Sequence, residues 1–188
     1  MSIKVLTTNF ICNCLPNHPT RKKDHTWKKS NTGTIKINVD ASFCAETRTG
    51  ACGTIVRDHA GNFIDAATWV LSHVSSADSI EISAIHRWFY LLLILAALRL
   101  HLESDSMNAL AAMKSPEVYI GPDVTTITEA TILPLEFSEI CFVHCNRDAN
   151  LVADSLAKYC SSTHLSQSWE GDSLDFILPH IVNDMTII

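Results

Sequence analysis

Ile35-Lys36-Ile37-Asn38-Val39-Asp40-Ala41-Ser42 decides the fold, because its apolar side chains fall on every second position and the alternation ends on an acid followed by small residues. That spacing predicts a β-strand with one face turned to a core. Working outward, residues 50–57 predict a second strand and residues 62–70 a third. Asp58-His59-Ala60-Gly61-Asn62 between them has turn chemistry, so the pair reads as an antiparallel hairpin. The period then changes. A helix is predicted from about Asp78 to Leu98, and Leu100 and Leu102 flank His101 in a short fourth strand leading to Glu103-Ser104-Asp105. A helix over 106–113 stops at Ser115-Pro116, another is predicted over 123–133, and residues 139–144 form a fifth strand. Asn150 is placed to cap a last helix over 151–160. The order predicts an α/β fold: a mixed five-stranded sheet, three strands antiparallel and two parallel, flanked by helices. Ligands of such sheets bind beyond the carboxyl ends of the parallel strands, where Asp40 and Asp105 both fall.

A length of 188 residues with 47% hydrophobic content fits one domain with tails: an arm over 1–30, a folded unit over 31–161 and a tail over 162–188. The formal net charge of -6 argues against a strongly basic nucleic-acid binder, so any polyanion must be held locally or through metal. Arg21, Lys22, Lys23, Lys28, Lys29 and Lys36 crowd ahead of Asp40, either as a phosphate contact or as a solvated tail. The seven cysteines form no paired C-x-x-C motifs, which sets structural zinc aside. Reduced thiols and the absence of a charged-then-apolar leader point to an intracellular protein, nuclear or cytoplasmic. The apolar stretch 88–98, opening on Trp88 and closing on Leu98, is too short to span a bilayer, so no membrane partner is expected. It reads as a buried helix, and any exposed part would offer a surface to a protein partner.

Four acids stand beside the pattern needed to bring them together: Asp40 and Asp105 near strand ends, Glu81 and Asp154 near helix starts. Converging carboxylates repel one another and call for divalent metal. Glu81 also has a simpler reading, since Asp78-Ser79-Ile80-Glu81 has the spacing of a capping box.

Lys36-Ile37-Asn38-Val39-Asp40-Ala41-Ser42, Gly53-Thr54-Ile55-Val56-Arg57-Asp58 with Gly61-Asn62-Phe63, Glu81 with Ala84, Leu102-Glu103-Ser104-Asp105-Ser106, Phe142-Val143-His144, and Arg147 through Lys158 occur in a telling order. Together they resemble the type 1 ribonuclease H domain, especially its plant branch related to the reverse transcriptases of non-LTR retrotransposons. The resemblance implies cleavage of the RNA strand of an RNA–DNA hybrid with two magnesium or manganese ions. It implies Asp40, Glu81, Asp105 and Asp154 as metal ligands and catalytic residues, and His144 as an aid to proton transfer or product release. Arg147 and Asn150 are expected to shape a loop and cap the helix, and Asn38 and Ser42 to border a groove where a 2′-hydroxyl could be met. Ala41 replaces the usual glycine after the first aspartate, and the usual basic handle after the first helix has no counterpart. The competing class is a catalytically weak or inactive nucleic-acid-binding or interaction module derived from a retrotransposon.

Overall fold

The computed structural model describes residues 25–94, 99–132, 138–171 and 174–186. In chain order the elements are β1 (Ile35–Cys44), β2 (Thr49–Arg57), β3 (Phe63–Leu71), α1 (Ala77–Ile94), β4 (Arg99–Ser104), α2 (Met107–Lys114), α3 (Val124–Ile132), β5 (Glu139–His144), α4 (Leu151–Thr163), β6 (Gln167–Glu170) and α5 (Leu178–Thr186). The sheet runs β5-β4-β1-β2-β3-β6. β1, β2 and β3 pair antiparallel, while β4 lies parallel to β1 and β5 parallel to β4, as the order of elements predicts. The sheet has one strand more than the expected five. β6 joins the free edge of β3 from a segment whose sequence shows no alternation and whose side chains are mostly exposed.

The two faces of β1 carry different chemistry. Ile37 and Val39 enter a core shared with Ile80, Ile85 and Trp88 of α1, Leu110 and Met113 of α2, Ile127 of α3 and Leu100, Leu102, Ile140 and Phe142 of the sheet. The opposite face carries Lys36, Asn38 and Asp40, and across it α4 seats Val152 and Leu156, and α5 with the turn before it seats Ile181 and Ile177, on Ile55 and Ala66. Both faces are therefore covered, and burial of apolar area on each side holds the layers together. No described helix is long and apolar enough to cross a membrane.

Four expectations need correction at this level. Lys36 is buried, bonded to Glu103 at 2.7 Å and to the carbonyl of Lys28, so it is no phosphate contact; Lys28 and Lys29 are exposed, and Arg21 to Lys23 lie outside the described residues. Trp27, assigned to the arm, is buried with its indole Nε1 donating to Asn38 at 2.9 Å. The tail likewise contributes β6 and α5, whose Asp184 binds Arg57 at 2.7 Å. Neither segment has the periodicity that marks a core element: the arm docks through Trp27, and the tail through the β3–β6 pairing and the scattered side chains Ile177, Ile181 and Asp184. Trp88 is fully buried, and the side chains of 89–98 lie outside the described residues. Cys44, Cys52, Cys145 and Cys160 are free thiols, whereas Cys141 is disulfide-bonded, a departure from reduced thiols throughout.

Candidate active site

Asp40 stands where β4 parts from β1, since their parallel pairing ends at Val39 and Ser104. Asp105 is the next residue after β4, so adjacent strands deliver both carboxylates to the same rim of the sheet. Glu81 comes from the second turn of α1 and is buried. It is not a cap: the Ser76 hydroxyl accepts the Ser79 amide at 3.2 Å and takes that role. The Glu81 carboxylate instead accepts from the Ser104 hydroxyl at 3.1 Å and from the Ala41 amide. One oxygen from each of Asp40, Glu81 and Asp105 lies within 4.8 Å of the others.

Asp154 lies in the first turn of α4 and lines the same cleft of about 690 Å³ as the other three acids. Two features place that helix. Asn150 occupies the cap position but makes no side-chain cap bond; its amide donates to the Val39 carbonyl at 2.9 Å, tying the start of α4 to β1 beside Asp40. Gly53, paired with Asp40 in the β1–β2 register, leaves room for the helix, because a Cβ there would stand 2.2 Å from the Ala157 nitrogen and 2.4 Å from the Ala153 oxygen.

Mutual repulsion shows in the acidities. Asp40 is pushed up to about 7, first by burial and then by Asp105 and Asp154, with Arg147 opposing. Burial pushes Glu81 well above the usual carboxylate range, and Asp40 and Asp105 add to it against the Ser104 bond and the Ala41 amide. Two cations partly offset the charge: Arg147 Nε donates to Asp105 at 2.9 Å and Lys158 Nζ to Asp154 at 2.6 Å. An all-carboxylate set of converging oxygens, two of them strained toward their protonated forms, fits a hard divalent cation such as magnesium or manganese.

His144 ends β5 level with Ser104, exposed, and is not among the residues lining the cleft. Ser42 lines it, but Asn38 does not: its amide is buried and committed to Trp27, Arg57 and Glu103, so it cannot meet a 2′-hydroxyl. Sequence reasoning missed Asp78, which lines the cleft held by the Ser106 hydroxyl at 3.1 Å and the Asn108 amide at 3.0 Å. It also gave Lys158 no role, although the i,i+4 spacing from Asp154 marks that pair.

A mixed sheet with an acid cluster at the rim shared by β1 and β4, overlain by α4, is the ribonuclease H-like fold. Residues 38–160 match the model of the family described as reverse transcriptase-like, and the chain belongs to that family. No curated protein matches it in sequence. Among solved structures, RNase H1 of the archaeon Halobacterium salinarum is similar with a TM-score of 0.63 at 16% identity, covering 69% of this chain and 98% of that one. The N-terminal RNase H domain of a Mycobacterium tuberculosis protein gives 0.62 at 17% identity, covering 69% and 94%. LC11-RNase H1, isolated from compost and solved in complex with an RNA/DNA hybrid, gives 0.60 at 18% identity, covering 66% and 94%.

Proposed function

We propose that this protein is a metal-dependent endoribonuclease that hydrolyses the RNA strand of RNA–DNA hybrids, with Asp40, Glu81, Asp105 and Asp154 holding two magnesium or manganese ions. The observation that carries this reading is the convergence of Asp40, Glu81 and Asp105 within 4.8 Å at the rim of the cleft. When bound, the ions supply Lewis acidity and lower the pKa of an attacking water. The chain supplies rigidity and charge. Asp40 and Asp105 are spaced by strand pairing, Glu81 is oriented by Ser104 and the Ala41 amide, and Asp154 is set by the anchorage of α4 to β1. Ser42, Ser106 and Asn108 add polar side chains to the cleft lining, the last two holding Asp78. His144 stands one strand away from Asp105, where it would serve proton transfer to the leaving group or product release.

The net charge of -6 and the exclusion of His144 from the cleft lining favour a second reading, a nucleic-acid-binding module with little or no catalysis. One experiment separates them. Purified protein is incubated with labelled RNA–DNA hybrid and magnesium, beside Asp40→Asn and Asp105→Asn. The enzyme cleaves the RNA strand and both variants lose orders of magnitude in rate; a folded parent that binds hybrid without cutting it is the module.

A further inference from the structure

Arg147 and Lys158 are the only basic side chains among the described residues lining the cleft, and each is paired with a different acid of the cluster. The pairs are lopsided. Arg147 is 92% exposed and its partner Asp105 13%; Lys158 is 73% exposed and its partner Asp154 33%. The carboxylates are thus fixed in the protein, while the cations sit at the ends of long arms in water. Ion pairs with so exposed a partner are screened by water and contribute little net stabilisation. A divalent ion competing for the same oxygens needs to overcome little.

Both cations also line the same cleft. Arg147 lies in the short turn over 147–149 that precedes α4, and Lys158 follows Asp154 by one helical turn. Released from their acids, both would stand at the mouth of a cleft that otherwise presents Asp40, Asp78, Glu81, Asp105 and Asp154 to an approaching polyanion.

We propose that Arg147 and Lys158 are exchangeable counter-ions, paired with Asp105 and Asp154 in the metal-free protein and transferred to the phosphates of a nucleic-acid strand when divalent cations take those carboxylates. The inference rests on the metal-dependent reading of this site. Its consequence is positive coupling: divalent cation strengthens polyanion binding and polyanion strengthens cation binding by the same factor. It also separates two roles by sign. If the pairs merely hold Asp105 and Asp154 in place, removing the cation disorders a ligand and weakens metal binding. If they compete, removal strengthens it.

The test uses the full chain, its Arg147→Gln, Lys158→Gln and double variants, and Arg147→Lys as the charge-retaining control. Calcium binding is measured by calorimetry without nucleic acid, and binding of an uncleavable 2′-O-methyl RNA–DNA hybrid by fluorescence anisotropy with and without calcium. Each single glutamine variant should bind calcium several-fold more tightly alone, bind the hybrid more weakly in calcium, and lower the salt slope of hybrid binding by about one unit. The parent should gain roughly fivefold or more in hybrid affinity on adding calcium, the double variant little of it, and Arg147→Lys should follow the parent. Weaker or unchanged calcium binding in the glutamine variants overturns the inference, as does an undiminished calcium effect on hybrid binding in the double variant. A parent that binds neither calcium nor hybrid overturns the metal-dependent reading itself, and this inference with it.

Discussion

Asn38 and Glu103 face each other across the parallel pairing of β1 and β4, amide to carboxylate at 2.9 Å, each two residues ahead of a cluster acid. Strand period is two, so this bond lies on the same face as Asp40 and Asp105, one pleat below them. Lys36 bonds the other Glu103 oxygen at 2.7 Å, and the Asn38 oxygen accepts from Trp27 and from Arg57, both at 2.9 Å. Arg57 is stacked with its guanidinium carbon 3.7 Å from the Trp27 ring centre and is held at its far end by Asp184. The register that forces two repelling acids together is thus fixed by a buried polar layer that does not itself repel.

That layer makes a stability prediction. Glu103→Ala strands Lys36 as a buried charge without its carboxylate and should cost about 3 to 5 kcal/mol, measured by urea unfolding. Lys36→Met combined with Glu103→Leu should recover part of the loss, because it removes the uncompensated buried charge, while Asn38 Nδ2 is left without its acceptor. A single variant within about 0.5 kcal/mol of the parent would contradict the burial of the pair.

Gly53 carries a second prediction. A methyl group there meets main-chain atoms of α4 rather than a movable side chain, so the helix must shift away from the sheet. Gly53→Ala should cost about 1 to 3 kcal/mol and weaken divalent-cation binding through displacement of Asp154. Calorimetry that finds the affinity intact despite lost stability would place Asp154 outside the metal site.

Much of this was legible in the chain. Alternation in β1, the turn around Asp58, which accepts both the Ala60 and Asn62 amides, and the apolar faces of α2 and α4 set the strand and helix order. Three of the four acids converge as their strand-end and helix-start positions suggested, with Asp154 on the wall of the same cleft. Other features left no periodic trace. Lys36 and Arg57 look like surface residues until Glu103 and Asp184, 67 and 127 positions away, are folded onto them. Trp27, through Asn38 and Arg57, and α5, through Ile181 and Asp184, are joined to the domain by isolated side chains, which spacing rules cannot register. Glu81 shows the reverse: its local motif suggested a cap, and tertiary burial beside Ser104 overrode it.

The edge where β6 joins β3 should respond to pH. Asp65 pairs with Glu170 across the strands and is pushed up to about 6, by burial first and by Glu170 second. An acid raised in the folded state holds its proton more tightly there than in the unfolded chain. Its contribution is therefore full below about pH 4 and is lost as the pH climbs through 6. Asp65→Asn should stabilise the protein at pH 8 by up to about 1 kcal/mol, the size of a like-charge cross-strand pair, and change little at pH 4.5. Thermal melts at the two pH values check the difference, and equal effects at both would mean that the Asp65 carboxyl is not raised in the folded protein.

Asp40 makes the proton part of metal binding. Its carboxyl is pushed up to about 7, and Glu81 is raised as well, so a divalent ion must displace protons that the cluster retains near neutrality. Without metal, the same sign argument makes stability fall as pH rises from about 4 to about 7, since the folded protein holds the extra proton across that window. Metal reverses this by binding the folded, deprotonated form; at a hundred times its dissociation constant it adds about 2.7 kcal/mol. The melting temperature should therefore rise with magnesium at pH 8 and scarcely move at pH 5.5. Calorimetry in two buffers of different ionisation enthalpy should record proton release at pH 6.5, and Asp40→Asn should diminish both the release and the pH dependence. Equal stabilisation by magnesium at the two pH values would mean that the ion sits on acids other than Asp40 and Glu81.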